Sequence, residues 1–142
     1  MRHHFPRSSG ARVGESGESY AFDQAGIMLS ASRFEAGLRE IGLLDESESS
    51  IMHIQIRDPG SDMTEGHRSA LPRGELPLTL MAERAISAMA GSQRERSAID
   101  GDMSGYRDYR GVPVYGAWLW DGHLGIGLTS EIDTWSWFHD CK

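Results

Sequence analysis

Asparagine is absent from this 142-residue chain, and cysteine and lysine occur once each, at Cys141 and Lys142. Without asparagine there is no N-glycosylation acceptor. With a single thiol no internal disulfide can form, which excludes a stapled secreted mini-protein and leaves the compartment open. The arginine-rich, asparagine-free composition reads as the codon bias of a GC-rich genome. No apolar run approaches the roughly 20 residues of a membrane helix. Residues 1–10 are basic but lead into no apolar core, so they do not read as a signal peptide. Bases are also the minority: 14 Lys and Arg against 21 Asp and Glu give a net charge of -7. Such a surface repels phosphate backbones and argues against a nucleic-acid partner. What is present, 39% hydrophobic residues and 25% charged, is the mixture of one soluble globular domain rather than a disordered chain.

Residues 1–13 read as a loose polar leader. Two short apolar runs, 20–23 and 27–31, flank Gln24-Ala25-Gly26, a hairpin signal. Ser32 and Glu35 have the spacing of a capping box. Phe34, Leu38 and Ile41 then form one stripe of an amphipathic helix that Gly42 can stop. Residues 51–56 read as a strand ending at the turn Asp58-Pro59-Gly60. Residues 61–75 read as a long surface loop of the kind that borders binding sites. Pro77 is placed for the first turn of a second helix, with Leu78, Met81, Ala82, Ala85, Ile86 and Met89 on its apolar stripe and Gly91 at its end. Residues 92–105 read as a polar connection. The runs 106–110, 112–120 and 124–132 read as strands, the last two joined through Asp121-Gly122-His123. The sum is an α+β domain, an antiparallel sheet with helices packed beside it.

Catalytic and metal motifs are missing. The histidines His3, His4, His53, His67, His123 and His139 include no i, i+4 pair on an expected helix, so no metal site and no cofactor follow. Cys141 has no evident base beside it. Gly14-Glu15-Ser16-Gly17 falls one residue short of a nucleophile elbow. Gly122, Gly125 and Gly127 precede no helix that would hold a phosphate, and close packing over bare glycines explains them better. Asp100, Asp102, Asp108 and Asp133 have no spacing that pairs them. A binding site is easier to argue from the last third. Val112, Val114, Gly116, Trp118 and Trp120 share one strand face, and Pro113, Tyr115, Ala117 and Leu119 the other. Aromatic walls with a few fixed charges hold small polar ligands. The same residues would equally serve as core, with Asp108 and Arg110 a surface pair.

Three segments carry a resemblance. Residues 17–23 (GESYAFD) with 26–30 (GIMLS) and 32–34 (SRF), then 105–118 (GYRDYRGVPVYGAW), then 127–133 (GLTSEID), resemble a Cache module. The likeness is to the membrane-proximal half of the double-Cache sensors attached to bacterial kinases and nucleotide cyclases. It spans most of residues 14–133; the tail 134–142 diverges from it. The resemblance implies a PAS-like fold and a non-catalytic, extracytoplasmic sensing or signal-relay module in a transmembrane receptor. On that reading the chain is a receptor fragment, truncated or frame-shifted in its coding sequence, whose membrane attachment lies in segments it lacks. The expected ligand is a small amino acid, amine or carboxylate. Arg33 would take a carboxylate, which suits a bidentate guanidinium. Asp108 would take an amine, and Tyr106, Tyr115 and Trp118 would form aromatic walls. Arg33 could instead be a helix-start residue paired with Glu35 or Glu40. Two other functions stay open: a ligand-free structural or homodimerisation module, and a small acid–base enzyme on a PAS-like sheet.

Overall fold

Alternation decides which side of the sheet each strand residue takes. In β1 (Glu18–Asp23), Glu18, Tyr20 and Phe22 are buried while the residues between them are not. In β3 (Pro113–Asp121), Val114, Gly116, Trp118 and Trp120 are the buried set, the face expected from sequence. Together with β2 (Ser97–Arg107) and β4 (Ile126–Asp133), these strands form one antiparallel sheet in the order β1-β4-β3-β2. The structure, a computed structural model, describes residues 16–88 and 97–135. Between β1 and β2 the chain forms helices α1 (Glu35–Glu40) and α2 (Leu80–Ser87) and two short 3-10 turns, Met63–Glu65 and Arg73–Glu75. Leu38 of α1 and Met81, Ala82 and Ala85 of α2 join Tyr20, Phe22, Val114, Trp118 and Trp120 in one core. The α+β expectation therefore holds: helices and loops lie against a sheet whose other face is left largely open.

Four local expectations change. The capping box does not form, because both side chains have better partners. Glu35 accepts from the Ser50 amide at 2.7 Å and its hydroxyl at 2.6 Å, while Ser32 Oγ sits 2.7 Å from Tyr109 OH. The segment 51–56 is not a strand: Met52 has φ 66, and only isolated bridges tie Ile27 to Gln55 and Arg57 to Leu78. Ile54 and Ile56 are buried as singletons while Ile51 and Met52 are exposed, so an apolar run misled by composition alone. Helix α2 begins after Pro77, at Leu80, with Thr79 Oγ1 accepting from the Ala82 amide at 3.2 Å; Met89 and Gly91 lie outside the described residues. Residues 97–105, expected as a connection, form most of β2. This is an edge strand, and backbone pairing with β3 holds it despite its Ser, Asp and Gly content.

The hairpin expectations fare better. Phe22 bridges Met28 around Gly26 (φ 77), and the Asp121 carboxylate accepts from the amides of His123 and Leu124 between β3 and β4. Gly127 does what the packing argument required. A Cβ there would lie 2.2 Å from Phe22 Cζ, so the strand passes directly over the buried ring. Gly127→Ala is expected to destabilise the fold by about 1–3 kcal/mol through overpacking. Phe22→Leu in the same chain should recover part of that loss, measured by a double-mutant cycle in urea.

Candidate functional site

The buried face of the sheet carries two carboxylates, and each is held by tyrosine. Glu131, on β4, accepts from Tyr20 OH at 2.7 Å and from Tyr106 OH at 2.5 Å, so it links β1 and β2 across the sheet. Glu18, on β1, accepts from Tyr109 OH at 2.8 Å and from the Arg33 amide at 3.1 Å. Burial is the main influence on both. Glu131 is pushed up to about 8 by burial and by the nearby Asp108 charge, against the lowering effect of its two phenols. Glu18 is raised in the same way, first by burial. The same burial, with the carboxylates beside them, raises Tyr20, Tyr106 and Tyr109 and keeps all three phenols protonated.

Glu18 and Tyr109 also reach the helical layer. Ser32 and Arg33 lead into α1, and Phe34 packs partly buried against the core. Above Phe34 lies a cavity of about 350 Å³ whose walls include Arg33, Phe34, Glu40, Ile41, Thr64 and Arg110. The Arg110 guanidinium lies 4.0 Å from the Phe34 ring centre and that of Arg33 5.5 Å, so both stack on one ring. Arg110 is fixed by Asp108, whose Oδ2 accepts from Nε at 2.9 Å and Nη2 at 2.7 Å. Burial alone would lower Arg110, but the Asp108 charge and hydrogen bonds, with Tyr109 and Glu18 nearby, together outweigh it and hold it above its ordinary value. Arg33 donates through Nη1 to the Gly17 carbonyl at the entry to β1. The cavity thus presents two oriented cations, an aromatic floor and one carboxylate, Glu40. That set suits a small zwitterion.

The five residues expected to line a site do not converge. Arg33 lines the cavity above Phe34. Asp108 is buried and spent on Arg110 and on the amides of Arg110 and Val112. Its pairing with Arg110 was foreseen as a surface pair, but both side chains are largely enclosed. Tyr106 and Trp118 are core residues in edge-to-face contact, ring centres 6.1 Å apart. Tyr115 lies on the opposite face, in a separate cavity with Arg107, Pro113 and Trp135. Sequence reading missed Glu18, Tyr20, Tyr109 and Glu131 because their partners are up to 111 positions apart. Their one visible signal was a charged residue at an inward position of a strand, twice. Two of the aspartates hold their own turns: Asp102 accepts from the amides of Ser104 and Gly105, and Asp100 accepts from the Gly101 amide. His3, His4 and Cys141 lie outside the described residues. No protein-family model, curated protein or solved structure matches this chain.

Proposed function

We propose that this chain is a Cache-type, PAS-like module that senses a small ligand, or relays its signal, within a bacterial transmembrane receptor on the extracytoplasmic side. It performs no chemistry itself. The observation that supports this most is the cavity walled by Arg33, Phe34, Glu40 and Arg110. Its wall is tied to the sheet, because the Arg33 amide bonds Glu18 and Arg33 Nη1 bonds the Gly17 carbonyl. A ligand that binds one arrangement of this wall more tightly than another shifts their populations and biases β1. The ligand is an amino acid or small carboxylate: its carboxylate meets the two guanidinium groups and an amine meets Glu40. Asp108 acts by orienting Arg110 rather than by meeting the amine itself.

The test is thermal denaturation screened over amino acids, small carboxylates and amines. A ligand at about 100 times its Kd is expected to add about 2.7 kcal/mol of stability. Arg33→Ala should lower affinity at least tenfold while leaving the fold intact. Absence of any shift across the set, or a shift that Arg33→Ala leaves unchanged, would overturn the reading. A second reading, a homodimerisation module, is supported by the open sheet face, where Ile99 is 82% and Leu128 48% exposed. Sedimentation velocity separates the two, since a dimer gives a concentration-dependent mass that Leu128→Glu abolishes.

A further inference from the structure

Glycine is the poorest residue, after proline, for the interior of a helix. Helix α1 nonetheless carries Gly37 in the middle of its sequence EAGLRE. Other glycines have a reason within the fold: Gly26 and Gly111 hold a positive φ, and a Cβ at Gly127 would strike the Phe22 ring. Gly37 has neither reason. Its backbone is helical, and a Cβ built on it meets nothing within 4 Å. For folding alone, alanine would serve better at this position.

Gly37 lines the cavity shared by Arg33 and Arg110. It precedes Glu40 by three positions and Ile41 by four, which puts the three on one helix face, and all three belong to the cavity wall. Leu38, next in sequence, is buried in the core instead. Side chains project outward from a helix, so a Cβ at 37 would stand on the stretch of wall that Gly37 leaves bare. That stretch is central. Phe34, on which both guanidinium groups stack, lies three positions before Gly37, and Glu40 lies three after it. Each step is about 4.5 Å of helix rise. A zwitterion with its carboxylate at the arginines and its amine at Glu40 therefore carries its α-carbon across Gly37. The other walls, Ala36, Ile41 and Thr64, add no charge. The volume, about 350 Å³, is near the lower limit of roughly 300 Å³ for small-molecule sites.

We propose that Gly37 is the specificity-determining residue of this site, kept bare so that the α-carbon of the ligand lies on α1, and that the ligand is an α-amino acid with a small aliphatic side chain. This rests on the sensing function proposed above. An acidic or basic side chain on the ligand would be left without a partner, since the arginines and Glu40 are already engaged by its carboxylate and amine. Two readouts test it. Without ligand, Gly37→Ala should melt about 2–4 °C above the unaltered chain, from the gain in helix propensity. With ligand, the isotopically labelled full chain is titrated with L-alanine, L-valine, L-aspartate and L-lysine and followed by amide NMR. L-Alanine and L-valine should give saturable shifts at residues 33–41, 64 and 110, with L-aspartate and L-lysine weaker by roughly tenfold or more. Gly37→Ala should weaken L-valine by roughly tenfold, the loss expected when one methyl overpacks a site. Gly37→Leu should abolish L-valine binding with the fold intact. A lower melting temperature for Gly37→Ala, or L-valine binding unchanged in both variants, would overturn the role of Gly37 and leave the sensing function standing. Equal binding of L-aspartate or L-lysine would overturn the ligand class. If none of the four moves residues 33–41 in the unaltered chain, the proposal falls; the sensing function falls with it only if the wider thermal screen is also blank.

Discussion

Gly111→Ala is expected to abolish folding at ambient temperature. Gly111 has φ +85 at the tip of the β2–β3 connection, a left-handed conformation that strains any residue with a Cβ. Strain alone would be tolerable. The decisive fact is that a Cβ there would fall 1.9 Å from the Ser61 carbonyl oxygen and 3.0 Å from Pro59 Cγ. The obstacle is backbone, so no rotamer change relieves it. Separation of the two segments would break the bond from the Met63 amide to the Arg110 carbonyl, 2.9 Å long, and loosen Arg110 beside the cavity it shares with Arg33. A loss above about 4 kcal/mol is therefore expected, in the exceptional range for one substitution. Gly60→Ala is the internal control. Gly60 has φ +82 with nothing within 4 Å of a Cβ, so only strain of roughly 1–2 kcal/mol applies. Urea denaturation followed by circular dichroism should show a native-like Gly60→Ala and an unfolded Gly111→Ala. Two equally mild variants would mean that the 58–62 turn does not pack on this connection.

Glu131→Gln is expected to make the protein more stable at pH 8 and to flatten its dependence on pH. The folded-state value of Glu131, about 8, lies above the ordinary 4.5, so between these limits the folded protein holds a proton that the unfolded chain releases. The stabilising contribution is complete below about pH 4.5 and is lost as pH rises toward 8. The slope approaches about 1.4 kcal/mol per pH unit for one linked proton. Glutamine keeps an oxygen for one phenol and an amide for the other but binds no proton, so this slope should largely vanish. The groups around Glu131 are Tyr20, Tyr106, Asp108 and Glu18. Glu18, also raised, leaves a residual slope of the same sign. Glu35 and Asp102, lowered chiefly by hydrogen bonds from Ser50 and Ser104, act in the opposite sense at more acid pH. Urea titrations from pH 4.5 to 8.5 read the difference, and parallel profiles for the two proteins would contradict the assignment.

The sheet was legible where alternation is strong. Val114, Gly116, Trp118 and Trp120 announced their shared face, and Asp121-Gly122 announced the hairpin. Two errors have the opposite origin. The segment 51–56 looks like a strand because its residues are apolar, yet only Ile54 and Ile56 find the core and neighbouring pairing never extends. The stretch 97–105 looks like a loop because an edge strand open to solvent needs few apolar residues. The site was the least legible part. Arg33 was identified with its cavity unseen, while Tyr106 and Trp118 became core and Tyr115 took the other face. Parity along one strand tells which residues share a side; it does not tell which helix covers that side. Nor does local spacing reveal Glu18 with Tyr109, or Glu131 with Tyr20, since the contacts exist only once β1 and β4 pair.

On the proposed reading, a ligand seated between Arg33 and Arg110 is felt by the sheet through Glu18. Amide NMR of the full chain, saturated with the amino acid or carboxylate that gives the largest thermal shift, tests it most directly. Shifts are expected at residues 33–41, 64 and 110, and also at 17–20 and 131–133, with the latter group reduced in Glu18→Ala, which removes the acceptor of the Arg33 amide, while binding persists. Shifts confined to the cavity wall in the unaltered protein, or no ligand that moves residues 33–41 at all, would contradict it.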